Sequence, residues 1–231
     1  MRQALEYLQA SPAFHMNIID PLLHGDAELL AGDSNGVLIR ERNSGAYMMS
    51  AANEAAARRM MDLAGRCDTF VCHQPEFAPI AQERFGLSVA LDCVGAAYLA
   101  DHPAEHRGLY EIRPLTLEHL RTVRSLYHNV DDEDYMRARI ESGRMWGAFD
   151  GERLLGFAGI HAESSMGMLE VPEEHRRRHV ASELQSWLIN HILEQGRTPF
   201  CQIFPDNEPS VRLQESLGMT ISCEHIAWIC G

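Results

Sequence analysis

The segment VPEEHRRRHVAS, residues 171–182, places three consecutive arginines directly ahead of an apolar run with helical spacing. A helix N-terminus exposes backbone N–H groups and the positive end of the helix dipole, and both favour a bound anion. The guanidinium groups of residues 176–178 suit phosphate oxygens, although Glu173 and Glu174 offset part of their charge. On spacing alone, a solvated helix start is the favoured interpretation and an anion site is the alternative.

The six cysteines offer no comparable chemistry. None of them forms a CxxC pair, and several lie in apolar segments such as FVC and WIC. Buried free thiols explain this distribution more simply than disulfides. Cys72 beside His73 is better interpreted as a buried strand residue than as a metal ligand or nucleophile, because no second ligand cluster has zinc-site spacing. We therefore predict no metal.

The composition limits the class of protein. The chain has 231 residues, of which 45% are hydrophobic and 23% charged, which suits one large or two small globular domains. A net charge of −13 argues against nucleic acid as a partner, because phosphates require a basic face. No apolar run approaches the ~20 residues of a membrane span, and the N-terminus lacks the apolar core of a secretory signal. We expect a cytoplasmic monomer or homodimer without membrane partners.

The elements that must position the arginine turn lie in the second half of the chain. A polar stretch around residues 99–116 contains Pro103, Gly108 and Pro114, and predicts a linker with a domain boundary near residue 107. The predicted domains are residues 1–107 and residues 108–231. After a strand near Tyr110, the second half predicts two helices, three strands, the arginine turn, a long helix, a strand, a short helix and one or two closing strands.

The first half also alternates helices and strands. GVLIRE and GAYMMS flank a polar turn and predict a hairpin. Ser50 is predicted to cap the helix AANEAAARRMMDLAG. DTFVCH and LSVALDCVGAAYL predict strands on either side of the helix PEFAPIAQERFG. This half is therefore predicted to be a smaller α/β domain.

In this context, residues ~110–231 resemble the GNAT superfamily of acyl-CoA-dependent N-acetyltransferases. Their phosphate turn follows a strand-ending valine and has the pattern R/Q-x-x-G-x-G/A, to which Val171 and RRRHVA are similar. Asn207 and the closing LGM resemble the asparagine and short helix that follow the next strand in the family. SGAYMMSA and SGRMWGAF resemble segments of GNAT proteins of similar length. The resemblance implies an α/β (α+β) fold with a mixed, mostly antiparallel sheet, and makes the first half a candidate degenerate GNAT-like unit.

The resemblance also implies that the chain uses acetyl-CoA as a co-substrate. The pyrophosphate would lie on backbone N–H groups of the turn, and the pantetheine arm would lie between SMGMLEV and TPFCQIF. The implied coenzyme-binding residues are Leu169, Val171, Arg176, Arg177, Arg178, His179, Val180, Ala181, Asn207 and Ser210.

Three positions depart from the family pattern. His179 stands where the family has glycine, and a side chain is expected to be tolerated there if the residue is already helical. Gln214 stands where many members have a tyrosine that acts as general acid, and glutamine supplies no proton. Gly167 stands where a glutamate often acts as the base.

Direct acyl transfer requires an uncharged amine, a donor for the oxyanion and an acceptor for the proton. An N–H group near Val171 is the expected donor. Glu170, Glu163 and His161 are the candidate proton acceptors, and Glu170 is preferred because it lies in the strand beside the expected thioester. The acidic run DDEDY, residues 131–135, is expected on the acceptor side.

We therefore expect transfer of an acetyl group from acetyl-CoA to a primary amine of a small molecule or peptide, by direct attack in a ternary complex. A non-catalytic acyl-CoA-binding sensor or interaction module is the alternative, and the departures at Gln214 and Gly167 favour it. A third interpretation is an unrelated α/β fold in which the arginine turn is solvated.

Overall fold

The computed structural model describes residues 1–130 and 132–231. The helices among these residues are α1 (Arg2–Leu8), α2 (Pro12–His24), α3 (Glu54–Met61), α4 (Ala78–Phe85), α5 (Leu120–Leu126), α6 (Glu133–Glu141), α7 (Val180–Glu194) and α8 (Glu208–Ser216). The strands are β1 (Ala27–Asp33), β2 (Gly36–Glu41), β3 (Tyr47–Ala51), β4 (Thr69–Cys72), β5 (Val89–Ala97), β6 (Glu111–Pro114), β7 (Met145–Asp150), β8 (Arg153–Ile160), β9 (Met166–Glu170), β10 (Phe200–Ile203) and β11 (Thr220–Cys230). No described helix is long and apolar enough to cross a membrane.

The predicted hairpin of the first half is strands β2 and β3, which pair antiparallel. Strand β1 has no counterpart in the prediction, because AELLAGD contains no β-branched or aromatic residue. Its antiparallel pairing with β2 places it at the edge of the sheet. Pairing with β2 therefore makes residues 27–33 a strand although their side chains have a weak preference for β structure.

The predicted helix cap at Ser50 is wrong. Asn53 caps α3, because its side chain accepts a hydrogen bond from the N–H of Ala56 at 3.0 Å. Ser50 lies in β3, and its fully buried hydroxyl group is 2.9 Å from His15 Nε2 and 3.0 Å from Gln74 Nε2. Burial lowers the pKa of His15. Ser50 therefore belongs to a buried polar network rather than to a helix terminus.

The order of elements repeats along the chain. After β6, the second half runs through two helices, three antiparallel strands, a helix, a strand, a helix and a strand, as α1 to β5 do in the first half. The last strands of the two halves, β5 and β11, pair antiparallel with each other. Each also pairs antiparallel with the strand before the last of the other half, so that β11 lies beside β4 and β5 beside β10. The two halves have exchanged their final strands.

The exchange produces a seven-stranded sheet in the order β1-β2-β3-β4-β11-β5-β10 and leaves β6-β7-β8-β9 as a second sheet. Helices cover both faces of the second sheet. Trp146 and Ala148 of β7 belong to the core beneath α7, whereas Met145 and Phe149 belong to the core beneath α5 and α6. This confirms the mixed, mostly antiparallel α/β architecture.

The stretch between the halves is held against α7. Glu183 is 2% exposed, and its carboxylate accepts hydrogen bonds from the N–H groups of Arg107 and Leu109, at 3.2 and 2.8 Å. A second tie joins Asp20 of α2 to Arg197 beyond α7, with Arg197 Nε 3.0 Å from Asp20 Oδ2. The domain boundary near residue 107 stays a prediction. The seven-stranded sheet contains strands from both sides of this residue.

Cleavage of the chain within this stretch should leave the halves bound to each other. A protease site inserted after Asp101, which lies in an exposed bend, allows the chain to be cut in its folded state. We expect both fragments to elute together from a size-exclusion column, because β5 and β11 remain in the same sheet. Denaturant should separate them, which serves as the control, whereas separate elution in buffer would contradict the exchange.

Candidate functional site

The two sheets meet along a gap. Strands β9 and β10 are neighbouring edge strands, yet they share no backbone ladder and belong to different sheets. A cleft of about 870 Å³ runs through the gap. One opening lies on the face of α7 and α8, where Ala181 and Gln214 line it, and is called the α7–α8 mouth below. The other lies where the α5–α6 connection supplies Tyr127 and Asn129, and is called the α5–α6 mouth.

The predicted phosphate turn lies at the α7–α8 mouth. Within the part of the chain that the structure describes, no group accepts a hydrogen bond from the N–H groups of residues 177–182, and no side chain caps α7. Six consecutive donors at the positive end of a 15-residue helix are thus available to an anion. The arrangement expected of a phosphate site is present in the backbone.

The conformation of His179 differs from the expectation. The residue is left-handed, with φ 63° and ψ 11°, rather than already helical. Arg177 is also left-handed, with φ 58°. Histidine occupies this region at a cost of about 1–2 kcal/mol, which glycine would not incur. The turn nevertheless forms with histidine at position 179, and its N–H groups remain without a hydrogen-bond acceptor among described residues.

The side chains of Arg176 and Arg178 lie near other protein groups. Arg176 Nε donates to the carbonyl oxygen of Val171 at 3.0 Å, and its Nη2 lies 3.5 Å from Glu170 Oε1. Arg178 Nη2 lies 4.0 Å from Asp150 Oδ2. Arg176 therefore ties the turn to the end of β9, and the anion-binding role of the three arginines stays a prediction.

The other coenzyme-binding candidates line the same cleft. Leu169, Val171, Asn207 and Ser210 are all among its lining residues. Asn207 caps α8, because its Oδ1 accepts from the N–H of Ser210 at 3.2 Å, so its Nδ2 is the atom left to donate. The structure brings these residues together around one opening, and their coenzyme-binding role stays a prediction.

Strand β9 carries a β-bulge at the centre of the cleft. Gly167 pairs with Gly159 and Glu170 pairs with Phe157, which leaves Met168 and Leu169 opposite the single residue Ala158. Met168 has a φ of 48°. The N–H of Val171, near which the oxyanion donor is expected, donates to Glu170 Oε1 at 3.2 Å. The bulge at Met168 and Leu169 therefore interrupts the β8–β9 ladder beside this position.

The two candidate glutamates have different surroundings. Glu170 is bound to the Val171 N–H and lies near Arg176, so its carboxylate is part of the turn. Glu163 lines the cleft and accepts a hydrogen bond from Ser165 Oγ at 2.8 Å. Among described residues, no arginine lies within salt-bridge distance of Glu163. Glu163 is thus a cleft-lining carboxylate whose hydrogen-bond partner is a hydroxyl group rather than an arginine.

His161 lies where a side chain at position 167 would lie. A Cβ atom added to Gly167 would overlap Nε2 of His161. Nδ1 of His161 is 2.9 Å from the hydroxyl oxygen of Tyr135, which accepts from the N–H of Ala162 at 3.2 Å. Burial, followed by the charge of Glu163, raises the pKa of Tyr135 to about 12, so the hydroxyl is neutral. The imidazole ring thus occupies the space that a side chain at position 167 would need.

Sequence reasoning missed several residues of the cleft. Tyr127, Asn129, Leu91 and Trp228 line it although no motif contains them. Gln214 is 4% exposed, and its Nε2 is 3.4 Å from Gln185 Oε1, a partner that no motif indicates. Within the described chain, Oε1 of Gln214 has no donor. Local sequence patterns indicate which face of a helix or strand is buried, but not which strand lies opposite.

The acidic run behaves as a helix start in the part that is described. Asp131 lies outside the described residues. Asp132 caps α6 by accepting from the N–H of Tyr135 at 3.0 Å, and Glu133 lies 2.9 Å from Arg137. The role of this acidic run in binding an acceptor substrate stays a prediction. Residues 1–130 and 132–231 contain no cluster of metal-ligating side chains.

A sheet that opens beside a helix N-terminus, with a bulged strand on one side of the opening, defines the GNAT acyltransferase fold that the resemblance implied. Comparison with known proteins confirms this fold. The family model described as FR47-like protein matches residues 152–229, about a third of the chain, which contain β9, the arginine turn and β10.

Solved structures share the architecture over most of the chain. A Drosophila protein is 16% identical, with a TM-score of 0.63 over 85% of this chain and 74% of its own. An acetyltransferase described as GNAT-family from Novosphingobium aromaticivorans is 16% identical, with a TM-score of 0.55 over 98% and 95% of the two chains. A GCN5-related N-acetyltransferase-like protein from Streptococcus suis is 14% identical, with a TM-score of 0.53 over 99% and 100%. Comparison with curated proteins finds no match.

Glycine at position 179 should stabilise the protein. His179→Gly removes the left-handed penalty of about 1–2 kcal/mol, part of which is offset by the greater entropy of glycine in the unfolded chain. We expect a gain of up to about 1 kcal/mol, which is about 2–4 °C in Tm for a chain of this size, measured by thermal unfolding. Ser182→Gly in the first turn of α7 is the control and should lower the Tm. A lower Tm for His179→Gly would mean that the imidazole stabilises the turn.

Proposed function

We propose that the chain transfers an acetyl group from acetyl-CoA to a primary amine by direct attack in a ternary complex. The row of unpaired N–H groups at residues 177–182, at one mouth of a cleft that passes between two sheets, carries this proposal. A phosphate site on one face and a second opening on the other allow two substrates to meet inside the sheet. The FR47-like match and the GNAT fold of the neighbours support it.

The coenzyme is placed at the α7–α8 mouth. Its pyrophosphate is bound by the N–H groups of the turn, and its pantetheine arm lies along β9 past Leu169 and Val171. The unpaired edges of β9 and β10 supply backbone partners for the amides of the arm. The thioester then lies at the bulge, where a backbone N–H near Val171 stabilises negative charge on the carbonyl oxygen.

The cleft favours direct transfer over an acetylated cysteine. Cys93 and Cys201 line the cleft, and burial raises the pKa of each thiol to about 12. Both thiols are therefore protonated near neutral pH and are poor nucleophiles. The amine nitrogen attacks the thioester carbonyl carbon, a C–N bond forms, the C–S bond breaks, and CoA leaves as a thiolate.

We propose that His161 accepts the proton of the attacking amine. The neutral tautomer with Nδ1–H donates to the hydroxyl oxygen of Tyr135 and leaves the Nε2 lone pair beside Gly167, at the centre of the cleft. Nε2 accepts the proton as the amine attacks. Glu163 and Glu170 stay the other candidates, and the contacts of Glu170 with Val171 and Arg176 give it a positioning role in the turn.

The alternative is a non-catalytic acyl-CoA-binding module, and Gln214 is the observation that favours it. The buried amide of Gln214 donates no proton to the departing sulfur. A thiol with an ordinary pKa of about 8.5 nevertheless leaves as a thiolate without full protonation near neutral pH. Release of CoA in the presence of amines separates the two functions, because the module would bind acetyl-CoA and release none.

A negative charge at Ala181 should weaken coenzyme binding. Ala181 lines the cleft and supplies one of the free N–H groups, so a carboxylate there repels the pyrophosphate. We expect Ala181→Glu to weaken acetyl-CoA binding at least about tenfold, or about 1.4 kcal/mol, in calorimetric titration. Ala181→Gln controls for size. Gln195→Glu controls for charge, because it lies roughly 20 Å away beyond the other end of α7. Equal affinities in all three variants would reject the coenzyme site.

A glutamate at position 167 should rescue the loss of His161. We expect His161→Ala to lower kcat about a hundredfold, which is typical of a lost general base. Gly167→Glu alone should also be inactive, because its side chain overlaps the imidazole. The double variant His161→Ala/Gly167→Glu has room for the carboxylate and should recover activity above either single variant. Acetyl-CoA affinity, measured in parallel, should stay constant, and a double variant no better than His161→Ala would reject the assignment.

A further inference from the structure

The first half of the chain supplies one wall of the α5–α6 mouth. Leu91 of β5 lines the cleft and is 41% exposed, and its cross-strand partner on β11 is the partly buried Trp228. Phe204, just after β10, lines the cleft on the same side and is 39% exposed. Large apolar side chains that remain exposed inside a cleft indicate an apolar ligand.

The opposite wall carries a negative charge. Glu163 lines the cleft without an arginine partner among described residues, and Tyr127 and Asn129 lie on the same side of the opening. Arg176 is the cationic side chain lining the cleft in the described chain, and it lies beside Glu170 at 3.5 Å. The sequence contains no lysine. The α5–α6 mouth therefore offers a counter-charge for an ammonium group and none for a carboxylate or phosphate.

We propose that the acceptor is a hydrophobic primary amine, with an alkyl or aryl group next to a single amino group and no anionic group. This inference rests on the proposed acetyl transfer and names the class of its second substrate. The ammonium form is attracted by Glu163 and loses its proton before attack, while the apolar group lies on Leu91, Phe204 and Trp228.

Other classes of amine fit the opening less well. An α-amino acid would place its carboxylate near Glu163, where like charges repel each other. A polyamine would place a second ammonium group against the apolar wall, where it loses hydration without a partner. A peptide amine fits only through an apolar residue beside its amino group.

The test compares matched amines by kcat/KM with acetyl-CoA saturating. The panel consists of 2-phenylethylamine, phenylalanine, spermidine, propylamine and hexylamine, and CoA release is followed with product mass. We expect 2-phenylethylamine to exceed phenylalanine about a hundredfold, and alkylamines to gain about threefold per methylene. Because the chain has no lysine side chain, acetylated lysine of the enzyme itself does not contribute to the CoA released.

A charged substitution on the apolar wall provides a second test of the acceptor class. Leu91→Arg should lower kcat/KM for 2-phenylethylamine at least tenfold while acetyl-CoA affinity stays unchanged. Val89→Arg is the matched control, because Val89 is 47% exposed, lies two residues away on the same face of β5 and is not a lining residue of the cleft. It should keep the activity of the unmodified chain.

The outcomes separate this inference from the proposed function. The acceptor class is overturned if kcat/KM is higher for phenylalanine or spermidine than for 2-phenylethylamine. It is also overturned if kcat/KM does not rise with alkyl length. Either result leaves acetyl transfer intact. Acetyl-CoA binding with no acetylation of any hydrophobic amine also overturns the acceptor class and supports the binding module. Failure to bind acetyl-CoA at all overturns the proposed function itself.

Discussion

The antiparallel pairing of β5 with β11 is the interaction on which the rest of the structure depends. Each is the last strand of its half, and each lies beside a strand of the other half. Backbone N–H and C=O groups of these central strands find their partners only across the boundary between the halves. The buried contacts of Asp20 with Arg197 and of Glu183 with residues 107 and 109 reinforce the same junction. The halves are therefore interdependent although their element orders repeat.

The repeat has become asymmetric at one position, and that position determines where a ligand can enter. In the first half, β3 and β4 pair in parallel through three residue pairs, and Asn53 occupies the N-terminus of α3. In the second half, the corresponding strands β9 and β10 share no ladder, and the N-terminus of α7 has no side-chain cap among described residues. The ladder between β3 and β4 closes this gap in the first half, and Asn53 satisfies the helix terminus there, so the cleft opens beside β9 and β10 instead.

The sequence predicts well what depends on neighbouring residues. Val171, the turn at residues 176–181 and Asn207 follow from local patterns, and the structure places them around one mouth of the cleft. The contact of His161 with Gly167 depends on the register of β8 against β9, including the bulge, which no local pattern encodes. Leu91 and Trp228 enter the cleft only because two strands are exchanged over more than a hundred residues. Long-range register, rather than residue type, limited the prediction of the acceptor side.

The arginine run has a different physical meaning from the one its charge indicates. The guanidinium group of Arg176 is bound to the end of β9, and that of Arg178 lies near Asp150. Two consequences follow for an anion at this turn. Its direct partners are backbone N–H groups, which no substitution except proline removes. Arg177 and His179 are both left-handed, and successive N–H groups in such turns form anion-binding concavities. Glycine in the family pattern and histidine here can therefore support the same turn, at different costs in stability.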